Sequence, residues 1–466
     1  MKKTLFDKIW DAHWVGQRED GRQLLYIDRH IVHELHAPHA FADMDKHAHS
    51  VRRKDITVVV QDHTVPTRVG VPLRSGHIDA TGLATAKHGV KRLSVEDSRH
   101  GISHVISPEQ GWAVPGGTLA CPDSHSSTVG ALGCLAFGCG TTEMVHVLAT
   151  QTIAMEKPQQ MRIVLQGSLG FGVTAKDVAL HLIRTVGVDF GRGHAVEYAG
   201  PVVSAMDLES RMTLCNMTIE WSGRTCLIAP DQRTFDWIAQ QAHAPKGALW
   251  AEAVRQWQVF HTDADAVFDT EVTIDCAQIG PQITWGTDPS QSVNVDEAIG
   301  DVPKVQAQEF DRQQRALAYM DLQTGQALVG LPIQRVYNGS CTTARITDLR
   351  HAAQVVQGRK VAPGVTALVV PGSNAVKRQA ESEGLDQIFL AAGFEWHLSG
   401  CSMCAGANGE VGRAGERCVA TSNRNFENRQ GRGVRTHLAS PAMAAAAAVA
   451  GHIVDFRTWL QPEASS

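Results

Sequence analysis

The chain has 466 residues, 43% of them apolar and 20% charged, with a formal net charge of -5. That length sets an expectation of two to four domains of roughly 100–200 residues each, and the charge leaves no broad basic field to hold nucleic acid or an anionic lipid surface. No apolar run approaches the roughly 18–20 residues needed to cross a bilayer, so neither a membrane nor a nucleic acid is an expected partner.

The N-terminal MKKTLFDKIWDAHW interrupts its apolar residues with Asp7, Lys8 and Asp11. That breaks any signal-peptide apolar region and predicts a short amphipathic helix, hence a cytoplasmic protein. Further along, MRIVLQG (161–167) reads as a strand, TAKDVALHLIRTVG (174–187) as a helix opened by Thr174 with Asp177 three on, and HAVEYAG (194–200) as a strand. The segment RMTLCNMTIEW (211–221) reads as a helix that puts Asn216 and Glu220 on one face. After a polar, weakly periodic connection over 287–330 the pattern resumes, with a strand at 333–339, a helix at 344–356, a strand at 365–372 and a helix at 375–385. SPAMAAAAAVAG (440–451) has Ser440 as N-cap, Pro441 at the first helical position and Gly451 as stop, which predicts a buried helix. Strands alternating with helices imply an α/β fold with mainly parallel sheets covered on both faces.

Ten cysteines, at 121, 134, 139, 215, 226, 276, 341, 401, 404 and 418, are too sparse for a disulfide scaffold and read as thiols or metal ligands. Those in small-residue or apolar runs are expected to pack as small hydrophobes. Cys401 and Cys404, in SGCSMCAGANGE, and Cys341, in the turn between a predicted strand and helix, stand apart. Ligand crevices form at the carboxyl ends of parallel strands, so three thiols there would suit an iron–sulfur cluster with one iron free of protein ligand. A zinc site completed by a nearby His or by Cys418 fits the spacing about as well, as does no metal at all.

Asp62-His63 and Asp123-Ser124-His125 each set a carboxylate beside an imidazole in a turn-rich context. One such pair is more often an ordinary polar contact than a catalytic one, but two together suggest proton transfer. TSNRNFENRQGRGVR carries Arg424, Arg429, Arg432 and Arg435, whose guanidinium forks suit a small polyanionic substrate.

These residues, with LLYIDRHIVHE, HVLATQT, SRMTLCNM, ITWGTDP, GSCT, GRKVAPGV, GCSMC, TSNRNFENRQGRG and THLASPAMAAAAA in order along the chain, resemble the aconitase superfamily, and within it the large subunit of 3-isopropylmalate dehydratase (isopropylmalate isomerase). The resemblance implies three aconitase-like α/β domains, at 1–158, 159–286 and 331–466, with 287–330 connecting, arranged around a central cluster-containing cleft. It implies a 4Fe-4S cluster on Cys341, Cys401 and Cys404, with Asp62, His63, Asp123, Ser124 and His125 lining the cavity. Asn216 and Glu220 would hydrogen-bond the cluster or the water at its free iron, and Asn423, Arg424 and Arg429 would orient cluster and substrate carboxylates. The implied activity is dehydration and rehydration of a dicarboxylate, isomerising 2- and 3-isopropylmalate in leucine biosynthesis. A mobile fourth domain supplies the superfamily's serine base, and the chain ends at Ser466 soon after the third domain, so a separate small subunit is the expected partner.

The chain departs from the family's usual residues at Thr64 and Thr343, where Asn is typical, and at Pro122, where Gly is typical. These changes raise the alternative of a paralogue acting on another 2-substituted malate, of the citramalate or aryl-malate type. A third alternative, of another class, is a non-catalytic cluster-based iron sensor or RNA-binding protein.

Overall fold

The computed structural model describes residues 2–73, 76–301 and 307–460. The chain divides into two compact units. The first comprises Met1–Val65, Leu73–Gly167 and Asp189–Ile274, and the second Pro66–Pro72, Ser168–Val188 and Asp275–Ser466.

A five-stranded parallel sheet organises the first unit, in the order Lys91–Leu93, Thr57–Val60, Arg29–His33, Thr118–Cys121, Leu135–Gly138. Its central strands are buried along their length, as TVVV and TLAC require of a sheet covered on both faces. The chain runs outward from Arg29–His33 in one direction and then returns to add strands on the other side, which makes a topological switch point between Arg29–His33 and Thr118–Cys121. A second, four-stranded sheet has the order Thr225–Ile228, His194–Ala199, Gln159–Gln166, Thr270–Asp275, its first three strands parallel. The unit's core gathers Leu5, Ile9 and Trp10 of helix Leu5–His13 with Phe41, Met44 and Phe137. That helix is opened by Thr4, whose hydroxyl accepts from Asp7 N at 3.0 Å.

The second unit repeats the strand order: Glu395–Trp396, Thr366–Val369, Arg335–Asn338, Arg417–Ala420, Arg435–Leu438, all parallel. Its switch point lies between Arg335–Asn338 and Arg417–Ala420. Helix Pro441–Ala450 is buried and closed by Gly451 at φ +74°, as a helix that is apolar all round must be. Helix Ala175–Val186 starts where Asp177 Oδ2 accepts from Thr174 N at 2.8 Å and Thr174 Oγ1 at 2.7 Å.

Several expected elements differ in detail. The helix expected over 375–385 ends at Ser382, and Gly384 at φ +74° starts a separate helix, Leu385–Ala392. The helix expected over 211–221 is α-helical only as Leu208–Asn216 and tightens to a 3-10 turn over Met217–Trp221. The polar stretch 287–330 carries strand Ser292–Asn294 and helix Ala307–Met320, within the second unit. Among the described residues no helix is long and apolar enough to cross a membrane.

Candidate functional site

In the first unit, three loops leave the carboxyl edge of the parallel sheet beside its switch point. Glu34 follows Arg29–His33, Asp62 and His63 follow Thr57–Val60, and Asp123 to His125 follow Thr118–Cys121. Strand order, and not sequence proximity, brings them together. His63 Nδ1 lies 2.7 Å from Asp62 Oδ1, and its Nε2 lies 3.3 Å from Asp123 Oδ2. Asp123 Oδ1 in turn meets His104 Nε2 at 2.7 Å and His125 Nδ1 at 3.3 Å, and accepts from His125 N at 2.8 Å. His125 Nε2 reaches Glu220 Oε1 at 2.7 Å. Carboxylate and imidazole therefore alternate from Asp62 through His63, Asp123 and His125 to Glu220. Ser124 Oγ stands 3.3 Å from His125 Nδ1.

Burial disfavours a charged imidazole at His63, but the Asp62 and Asp123 carboxylates outweigh it and hold the ring well above the usual histidine range. Burial likewise pushes Asp123 upward, yet His104, His125 and His63 hold its carboxyl well below the ordinary value. At the neighbouring His33 the same carboxylates are outweighed by burial and by the charge of His63. Burial pushes it down to about 3, so it stays neutral, with its Nε2 bonded to the carbonyl of Pro122 at 2.8 Å.

Asn216 and Glu220, expected to share a helical face, both turn to the 3-10 segment Ser124–Leu132. Asn216 Nδ2 donates to Thr128 Oγ1 at 2.9 Å, and Thr128 Oγ1 donates to the carbonyl of His125 at 2.7 Å. Asn216 thus fixes the backbone that carries His125, and Glu220 holds the ring.

Two residues that sequence reading did not single out complete the cluster. His104 lies in the first turn of the short helix Ser103–Glu109, in a setting, GISHVIS, that carried no signal of its own. Glu34 is fully buried, and its carboxylate accepts from Asp62 N at 3.1 Å, His63 N at 2.6 Å, Thr64 N at 2.5 Å and Thr64 Oγ1 at 3.1 Å. A lone acid directly after the buried strand RHIVH was the available clue. The Thr64 hydroxyl that replaces the usual amide is used here.

In the second unit the thiols occupy the equivalent edge. Cys341 follows strand Arg335–Asn338, while Cys401 and Cys404 span a 3-10 turn beyond Glu395–Trp396. All ten cysteines are buried and unbridged. Asn423, just past strand Arg417–Ala420, spans two of the sulfurs, with Nδ2 donating to Cys341 Sγ at 3.5 Å and Oδ1 lying 3.7 Å from Cys404 Sγ. Ser340 Oγ lies 3.1 Å from Cys404 Sγ, and Tyr337 Oη donates to the carbonyl of Cys401 at 2.8 Å. Burial, reinforced by the three nearby thiols, drives the Tyr337 phenol well above its ordinary value, so it stays a neutral donor. Ser340 at φ +83° and Ser402 at φ +47° lie in the left-handed region beside the cysteines, a strain that persists only where surrounding structure over-determines it.

Lys176, unremarked in the sequence, is buried and donates to the carbonyls of Thr421 and Ser422 just before Asn423. Thr343 Oγ1 donates to the same Thr421 carbonyl at 2.8 Å. Arg424 and Arg429 are half-buried in this loop, the Arg429 guanidinium 5.4 Å from the ring of Phe426. Arg435 turns elsewhere, to the carbonyl of Tyr319 and to Asp321. Three buried thiols, with an amide across two of them and hydroxyl and phenol groups around them, form a donor set that fits an iron–sulfur cluster with three protein ligands.

Parallel α/β sheets carry carboxylate–imidazole pairs at one switch point and buried thiols at another, which defines the class as an α/β protein. A family model described as the Aconitase family (aconitate hydratase) matches residues 7–451, and the chain belongs to that family. Membership places it among proteins of hydro-lyase type. A solved structure, aconitase X of Thermococcus kodakaraensis in its holo-form, is similar at 11% identity over 91% of this chain and 90% of that one, with a TM-score of 0.47.

Proposed function

We propose that this chain is the large, cluster-bearing subunit of a hydro-lyase that interconverts 2-isopropylmalate and 3-isopropylmalate by dehydration and rehydration in leucine biosynthesis, working with a separate small subunit. Within it we assign three α/β domains, 1–158, 159–286 and 331–466, with 287–330 connecting. The observation that carries the reading is the Asn423 amide set against the sulfurs of both Cys341 and Cys404 at a sheet's carboxyl edge, in a chain of the aconitase family.

Cys341, Cys401 and Cys404 would hold a 4Fe-4S cluster, which supplies a Lewis acid for the hydroxyl and carboxylate of a 2-hydroxy dicarboxylate. The chain's own residues do the rest. Hydroxide is a poor leaving group, and His63, kept protonated by Asp62 and Asp123, delivers its Nε2 proton to the departing oxygen. In the reverse sense it takes that proton back from the water that is added. Glu220 holds His125, and Asp123 holds His104 and His63, so protons move between fixed partners without rearrangement of the rings. Arg424 and Arg429 pair with substrate carboxylates and offset the negative charge that grows as the C–H proton leaves. The base for that proton comes from the small subunit.

A second reading keeps the chemistry and changes the substrate to another malate, of the citramalate or aryl-malate type. It is favoured by Thr343, which commits its hydroxyl to Thr421, where an amide would offer both a donor and an acceptor. The third reading, an iron sensor or RNA-binding protein without activity, is disfavoured by the intact run of carboxylate–imidazole pairs.

Anaerobic reconstitution of the chain with iron and sulfide, addition of a small subunit and measurement of alkene absorbance with 2-isopropylmalate test the assignment. Cluster-dependent turnover supports it. A cluster with turnover only on another malate selects the second reading, and a cluster with no turnover on any malate but salt-dependent RNA binding selects the third.

A further inference from the structure

Glu410 lies six residues beyond Cys404, and its carboxylate serves two segments at once. Oε2 accepts from Ser402 Oγ at 2.5 Å, and Ser402, between Cys401 and Cys404, is the residue held at φ +47°. Oε1 accepts from Thr67 N and Arg68 N, each at 2.8 Å, and Oε2 also accepts from Thr67 Oγ1 at 2.5 Å. Thr67 and Arg68 belong to Pro66–Pro72, a short strap that is part of the second unit although the chain on either side of it is not. Leu398 N donates to the Thr67 carbonyl at 2.8 Å, so the strap is tied to the same stretch that leads into Cys401.

We propose that Glu410 is a positioning residue for the three-thiol site, and that through it the docking of residues 66–72 depends on what the thiols hold. The inference rests on Cys341, Cys401 and Cys404 being the cluster ligands. A serine stays in the left-handed region only while something holds it there, and charge-assisted hydrogen bonds to a carboxylate are among the stronger holds available. With the thiol turn fixed by its ligand, Ser402 presents its hydroxyl to Glu410, and Glu410 keeps the charge and orientation that gather the Thr67 and Arg68 amides. When the ligand leaves, the turn relaxes, Ser402 withdraws, and the strap loses its anchor. Coupling of this kind is reciprocal, so a docked strap also slows loss of the ligand. The strap begins three residues after His63.

Two measurements on the whole chain test this: the rate of iron loss to a chelator after anaerobic reconstitution, and hydrogen exchange at the amides of Thr67 and Arg68 with and without iron. They are made on wild type, Glu410→Ala and Glu410→Gln, with the amides of strand Thr57–Val60 as the control for global folding. We expect Glu410→Ala to release iron roughly tenfold faster, the size of effect that loss of hydrogen bonds to a charged group produces, and Glu410→Gln to fall between. The Thr67 and Arg68 amides should exchange faster in Glu410→Ala, and faster in iron-free than in iron-loaded wild type, while Thr57–Val60 is unchanged. If Glu410→Ala does not fold, Thr67→Val, which removes one of the donors, carries the same test with a smaller expected effect. Wild type that takes up no iron overturns the cluster assignment itself. Loaded wild type whose iron loss matches that of the variants, or whose strap amides ignore the presence of iron, overturns this inference and leaves the cluster assignment standing.

Discussion

His125 Nε2 and Glu220 Oε1 stand 2.7 Å apart across 95 residues of sequence, both side chains nearly out of contact with solvent. The bond is the end of the alternating carboxylate–imidazole series. Glu220→Gln keeps the shape and removes the charge that holds the ring. Turnover of the proposed substrate should fall about 10²- to 10⁴-fold, the range typical of a positioned acid–base group, while iron content is unchanged. Loss of iron together with activity would instead mark Glu220 as a structural support.

The Asp62–His63 pair makes stability depend on pH in a defined direction. The folded pKa of His63 lies well above 6.5. Its contribution is therefore fully present below the unfolded value and is lost as pH rises through the folded one. Replacing Asp62 with Asn removes a main source of that elevation, so the alkaline decline of the urea midpoint, which begins near the unfolded value in both proteins, should be smaller and end at lower pH in Asp62→Asn than in wild type. Identical alkaline limbs would refute the pairing. Asp123, held well below 3.8, acts in the opposite sense, contributing above its unfolded value and losing that contribution as pH falls through the folded one.

Glu34 is the anchor of the His63 loop. Glu34→Ala leaves the amides of Asp62, His63 and Thr64 without their shared acceptor in a buried site. A destabilisation of about 3 kcal/mol is expected from the desolvation cost of unmade hydrogen bonds, measured by urea unfolding. A change below about 1 kcal/mol would show that water replaces the carboxylate.

Serine substitutions separate the metal readings. Cys341→Ser, Cys401→Ser and Cys404→Ser should each abolish or sharply reduce iron and sulfide incorporation. Cys418 is fully buried on its strand, and burial pushes its thiol up to about 12, so it behaves as packing. Cys418→Ser should retain the cluster. Equal loss of bound metal in all four variants, with zinc recovered and no sulfide, would indicate a four-thiol zinc site.

Much of the local structure was legible before any coordinates. Thr174 with Asp177, Pro441 and Gly451 at the ends of their helix, and the strands near 161–167, 333–339 and 365–372 all occur where local pattern placed them, because helix ends and strand periodicity are short-range demands, although the Ser440 hydroxyl makes no capping hydrogen bond. The interruption at Gly384 and the tightening after Asn216 were not foreseen, since each depends on what the segment packs against.

The sequence by itself determined which side chains are available, the short spacing of Cys401 and Cys404, and the turn after a strand that presents Cys341. Only the tertiary structure decided the pairings: His63 with Asp123, His104 with Asp123, Glu220 with His125, Asn423 with Cys341 and Cys404, and Glu34 beneath three consecutive amides. Each joins segments that are distant in sequence, and those at the sheet edges become neighbours because both five-stranded sheets reverse their strand order at a central strand. Hydrogen-bond partners are selected by position at that edge, which no local pattern of residues encodes.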